Sequence, residues 1–161
     1  MNSLHDINIA QRNAGEDACI ANLVRRGLIY EPSTQQTNIK LAADVLQDVC
    51  HGAAKTAGWW VDAKTGKPVQ SNPMCFSQKL MLIVSEVAEA MEGDRKSLQD
   101  DKLPHRAMRE VELADALIRI FDLAGAYDMD LGGAIAEKLA FNAQRPDHKL
   151  ESRQAEGGKS Y

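Results

Sequence analysis

Two acidic pairs constrain the fold of this chain more than any other feature: Glu86-Val87-Ala88-Glu89 and Glu112-Leu113-Ala114-Asp115. Each runs from i to i+3, a spacing that sets both carboxylates on one face of a helix, one turn apart. Either pair alone reads first as solvated helix surface. The neighbours shift the balance. At ~100° per residue, Glu112, Asp115, Arg119 and Asp122 fall in a wedge about 80° wide. Ala116, Ile120 and Leu123 flank it on one side, and Val111 and Ile118 on the other. A solvated face is usually wider than that. Leu82 and Ala90 border the sector of Glu86 and Glu89 in the same way. Narrow acidic stripes on mostly apolar helices point to carboxylates that face a protein-lined cleft. Carboxylates crowded in low dielectric either take up protons or hold a hard cation. With oxygen ligands and no histidine or cysteine at ligand spacing, the fitting ion is Mg²⁺, with Mn²⁺ as a substitute, rather than zinc. A di-iron bundle would carry Glu-x-x-His, which neither segment has.

The rest of the chain suits one intracellular domain. It has 161 residues, enough for a single core. Its 44% hydrophobic and 26% charged residues are globular values and argue against wholesale disorder. Nineteen basic against 23 acidic side chains leave a net charge of −4, so no general attraction to duplex nucleic acid is expected. Apolar runs fall short of the ~20 residues that cross a bilayer, so no membrane partner is expected. The first residues show no basic-then-apolar signal pattern. Cys19, Cys50 and Cys75 are scattered and odd in number, which predicts reduced thiols and a cytoplasmic location.

Alanine and leucine outweigh β-branched alternation, so an all-α fold is expected, an antiparallel bundle of about four main helices. Residues 1–37 read as an N-terminal extension, with a short apolar stripe at Cys19, Leu23 and Val24 closed by Gly27 and Pro32. Residues 38–149 form the main domain and 150–161 a loose tail. The first main helix is predicted from Ile39 to Ala57, capped by Asn38, with Ala42, Val45, Leu46, Val49 and Ala53 toward the core. Val61 to Pro73 is a loop or short hairpin. Ser77 caps a helix from Gln78 to Met91 that Gly93 stops, and Pro104 opens a third that runs to Tyr127. Asp130 caps the last, which reaches Asn142 before Pro146 ends it.

Lys138, Asn142, Arg145, His148 and Lys149 gather at and beyond that last helix. They read either as cations favoured by the helix C-terminus or as partners for polyphosphate. Lys138 and Asn142 share a face at i,i+4. A magnesium site built from few carboxylates keeps positions open for phosphate oxygens. Either Trp59 or Trp60 could stack on a nucleobase or fill a core. Asp122 reads either as a neighbour of the metal site or as a salt-bridge partner of Arg119.

In order, Ser85-Glu86-Val87-Ala88-Glu89, then Glu112-Leu113-Ala114-Asp115 after 22 residues, then Lys138 through Arg145, resemble a MazG-type protein. That is a branch of the all-α nucleoside triphosphate pyrophosphohydrolases, beside dimeric dUTPases and phosphoribosyl-ATP pyrophosphohydrolase. The resemblance covers roughly His51 to Lys149. It implies Mg²⁺ ligation by Glu86, Glu89, Glu112 and Asp115, and catalysis by Glu86 or Glu89. It also implies substrate contacts from His51, Trp60, Arg119, Lys138, Asn142 and Arg145, and a homodimer or homotetramer. The implied reaction converts a (deoxy)nucleoside triphosphate to monophosphate and pyrophosphate. The alternatives are a phosphoribosyl-ATP or dUTP-hydrolysing relative, or a catalytically silent helical protein that binds nucleotides or oligomerises. Members often carry Glu-Glu-x-x-Glu at the first motif, and Ser85 stands here in place of the leading glutamate.

Overall fold

The computed structural model describes residues 35–158. The N-terminal stripe at Cys19, Leu23 and Val24 lies outside the described residues, as do residues 159–161. Five helices carry the described chain: α1 (Gln35–Thr56), α2 (Cys75–Lys96), α3 (Met108–Ala126), α4 (Leu131–Gln144) and α5 (Leu150–Gln154). Short 3₁₀ turns fill Val69–Ser71 and Pro146–His148. Among the described residues there is no strand, only the isolated antiparallel bridges Val61–Pro68 and Gln99–Ala107. The fold is all-α. No helix is long and apolar enough to cross a membrane, among the described residues.

The chain divides into two compact units. One is residues 41–135. The other, over the described residues, is 35–40 with 136–158.

Within residues 41–135, α2 and α3 form the principal helix pair. They are antiparallel: Asp94 pairs with Arg109 at one end, and the Phe76 and Tyr127 rings meet edge to face at 5.1 Å at the other. Gly93 permits the close approach. A Cβ there would stand 2.9 Å from Cβ and Cγ of Met108 and 3.1 Å from the Arg109 amide. The sequence reads Gly93 as a helix stop, but its function is packing, and α2 continues to Lys96. The stop is supplied by Ser97, which takes the left-handed conformation at φ 51°, while Leu98 N–H returns to Gly93 C=O at 2.9 Å.

Other expected boundaries move for local reasons. Asn38 and Ser77 are not caps, since each lies inside its helix. Asn72 accepts the Met74 N–H at 2.9 Å just ahead of α2. Pro104 does not open α3. It sits in a loop held by buried Asp100, whose Oδ1 accepts the N–H groups of Lys102 and Leu103. The helix begins only after Ala107, which is extended. Asp130 does cap α4, with its carboxylate accepting the Gly133 N–H at 3.0 Å. The first residues of the expected tail, Leu150–Gln154, form the short α5.

The core faces of α1 also differ from the periodicity reading. Val45, Leu46 and Val49 are exposed, at 61%, 47% and 63%. Ala42 and Ala53 are exposed too. The buried positions are Ala43 and Cys50, small side chains that let α1 lie against Phe121, with Leu131 and Ile135 closing the cluster. A second cluster gathers Trp60, Cys75 and Leu123.

Replacing Gly93 with alanine should force α2 and α3 apart and cost about 1–3 kcal/mol. Urea unfolding followed by circular dichroism measures this, and an alanine variant as stable as the wild type would refute the close approach.

Candidate functional site

Glu86 and Glu89 leave α2, and Glu112 leaves α3, toward one point: one oxygen from each lies within 4.8 Å of the others. Glu86 and Glu112 are buried between the helices, at 7% and 8% exposure, and Glu89 is exposed. Antiparallel pairing creates this convergence, since the motifs are 22 residues apart in sequence. Burial, the hydrogen bond Glu112 shares with Glu86, and the charges of Glu89, Glu86 and Asp115 push the Glu112 carboxyl up to about 7. The metal-free cluster therefore holds a proton near neutrality. Asp115, one turn further along α3, stands outside this trio and lines the adjoining groove. Hard oxygen donors, two of them desolvated, suit Mg²⁺ or Mn²⁺.

The only cation paired with this trio, among the described residues, is Arg119, whose Nε is 2.7 Å from Glu86 Oε1. The sequence left Arg119 open as a partner of Asp122, and the structure gives it to Glu86 instead. Ser85 adds nothing to the acid set, because its hydroxyl donates to the Leu82 carbonyl at 2.7 Å.

Asp122 is the centre of a separate buried network. Its Oδ1 accepts the Trp60 indole N–H at 2.7 Å and His51 Nδ1–H at 2.9 Å, and Lys79 Nζ is 3.9 Å from Oδ2. The Lys79 ammonium also lies 4.4 Å from the Trp60 ring centroid, while His51 and Tyr127 meet that ring edge to face. Trp60 is 6% exposed and its polar handle is spent, so the ring expected to meet a nucleobase is a core ring. His51 is fixed beside it, packed on Gly125, where a Cβ would come within 2.6 Å.

A groove of about 560 Å³ runs past these groups, lined by Asp115, Arg119, Asp122, Lys79, Trp59 and Leu82 among others. Its size is that of a small-molecule site. Lys79 is a charged lining residue that the sequence analysis does not single out. Lys79 lies four residues beyond Cys75 on the inner face of α2, a signal visible only once that face is known.

Lys138, Asn142 and Arg145 belong to the other unit. Lys138 Nζ is 5.0 Å from the Phe141 ring centroid. Arg145 grips Asp147 through two hydrogen bonds of 3.0 and 2.7 Å. Buried Asn142 Oδ1 has no hydrogen-bond partner among the described residues.

Comparison with known protein families, with curated proteins and with solved structures finds no match.

A carboxyl raised by folding stabilises the protein fully below its unfolded value near 4.5 and loses that contribution as pH rises through about 7. Metal-free Glu112→Gln protein should therefore gain thermal stability relative to wild type across that interval and hold a constant lead above it. Parallel melts from pH 4.5 to 8 in EDTA test this, and a difference independent of pH would refute the shared proton.

Proposed function

We propose that this chain is a Mg²⁺-dependent nucleoside triphosphate pyrophosphohydrolase of the MazG type, releasing a nucleoside monophosphate and pyrophosphate. The observation that carries the reading is the convergence of Glu86, Glu89 and Glu112 from two antiparallel helices beside a groove that holds both acidic and basic side chains. Its support from sequence is the order and spacing of the same motifs. When bound, Mg²⁺ (or Mn²⁺) neutralises the phosphate oxygens and lowers the pKa of an attacking water.

The chain's own groups divide the remaining work. Glu86, Glu89 and Glu112 hold the cation, with Asp115 one turn away on the groove wall. Glu89, the exposed member of the trio, takes the proton of the water that attacks the α-phosphorus. Arg119, 42% exposed on the groove wall, meets the negative charge of the triphosphate. The resemblance also implies polyphosphate contacts from Lys138, Asn142 and Arg145, and Arg145 is paired with Asp147 in the structure.

The protein acts as a homodimer or homotetramer in this reading. Support comes from apolar rows that the described residues leave open: Leu41, Val45 and Val49 on α1, and Leu80, Val84, Val87 and Met91 on α2, all exposed by 36–64%. Rows of this kind are what an isologous interface covers.

Pyrophosphate release measured across the eight common NTPs and dNTPs should occur with Mg²⁺ and vanish with EDTA. Glu112→Gln should lower kcat/KM at least about a hundredfold while leaving the helical spectrum unchanged. Release from phosphoribosyl-ATP or dUTP alone would move the chain to those relatives, and no release from any nucleotide would make it a silent binding protein. Independently, Val45→Glu with Val49→Glu should reduce the mass seen by light scattering, and an unchanged mass would place the interface elsewhere.

A further inference from the structure

Arg119 has three carboxylates within reach of its helix position or its neighbour helix. On α3 it follows Asp115 by four residues and precedes Asp122 by three, so helical spacing offers it either one. Its ion pair among the described residues goes instead to Glu86 on α2, with Nε 2.7 Å from Oε1. Asp122 is already met by Trp60, His51 and Lys79. Lys102 is no substitute for Arg119 at the trio. It is 85% exposed, and its ammonium is held up chiefly by the Asp101 charge, with Glu112 contributing least.

The two sides of the Glu86–Arg119 pair are unequally placed. The Glu86 side chain is 9% exposed and sits between the helices, whereas that of Arg119 is 42% exposed and lines the 560 Å³ groove. Arg119 can turn toward the groove by side-chain rotation alone, and Glu86 has no such freedom. Glu86 is also one of the three carboxylates whose oxygens lie within 4.8 Å of one another. The guanidinium and a divalent ion held by that trio would thus share one carboxylate, and like charges at such range repel. Anionic oxygens in the groove would favour the turned-out position of Arg119, because a guanidinium matches phosphate in charge and in geometry.

We propose that Arg119 is a tethered counter-ion that couples metal to phosphate: it neutralises Glu86 in the protein alone, yields Glu86 to a divalent ion, and then pairs with a phosphate oxygen of the ligand in the groove. This rests on the triphosphate reading above and adds an order of events to it. Arg119 opposes the metal while no anion is present and favours the anion once the metal is bound. Each ligand therefore strengthens the binding of the other, by an amount that depends on the Arg119 charge.

The test uses the full chain stripped with EDTA and then freed of it, and reads binding rather than turnover. Free Mn²⁺ counted by electron paramagnetic resonance gives metal affinity without nucleotide. Calorimetry at saturating Mg²⁺ gives the affinity of α,β-imido analogues of a purine and a pyrimidine triphosphate. Arg119→Met, which removes the charge from a half-exposed side chain, should bind Mn²⁺ at least about fivefold more tightly than wild type. The same variant should bind the analogues at least about tenfold more weakly. Arg119→Lys, which keeps the charge, should show neither shift. Opposite signs from one substitution are what a merely structural role would not produce. If Mn²⁺ does not bind the wild type, the metal-dependent reading fails and the proposal with it. Mn²⁺ binding without binding of either analogue would defeat the triphosphate reading, and with it the transfer of Arg119 to phosphate. If both bind the wild type, the proposal alone is overturned by Mn²⁺ affinity that is unchanged or weaker in Arg119→Met. Unchanged analogue affinity in that variant, or the same shifts in Arg119→Lys, would overturn it equally.

Discussion

One buried carboxylate organises the centre of residues 41–135. Asp122 sits on α3 and accepts hydrogen bonds from His51 on α1 and from Trp60 just beyond it, with Lys79 of α2 nearby. A charge at 8% exposure is costly unless its lone pairs are met, and here two donors and a cation from three segments meet them. The network thereby fixes the turn after α1 and the start of α2 against α3. The neighbouring Cys50 thiol is pushed upward, first by its burial and then by the Asp122 charge. Trp60 becomes a structural ring because its indole N–H is needed here, and Trp59 is turned outward as a consequence of chain geometry.

The acidic trio follows the opposite logic. Asp122 is satisfied by donors, whereas Glu86, Glu89 and Glu112 crowd one another with Arg119 as their partner. Part of the repulsion is relieved by the proton that Glu112 retains. Under the proposed function, a divalent ion would take over part of that compensation.

Much of this was legible. The 3.6-residue rhythm gave the helices, the Asp130 cap was readable from its chemistry, and the narrow acidic wedge marked Glu112 as inward-facing. Gly93 was misread because a glycine that stops a helix and one that lets a neighbour approach look alike in sequence. The α1 stripe was misassigned for a related reason. Periodicity shows that a helix has an apolar side, but Ala43 and Cys50, small and inconspicuous, are what Phe121 accepts. The conspicuous Val45 and Val49 remain outside the single chain.

The sequence by itself determined the all-α class and the sector of each helix that bears acids, because both depend on spacing along one chain. It determined the kind of donor those sectors offer as well, carboxylate oxygens, since donor chemistry is a property of residue type. Only the tertiary structure decided which sectors meet. Antiparallel pairing of α2 with α3 brought Glu86 to Glu112, gave Arg119 to Glu86 rather than to Asp122, and sent two neighbouring tryptophans to opposite sides. Those outcomes depend on distances between segments far apart in the chain, and packing alone sets such distances.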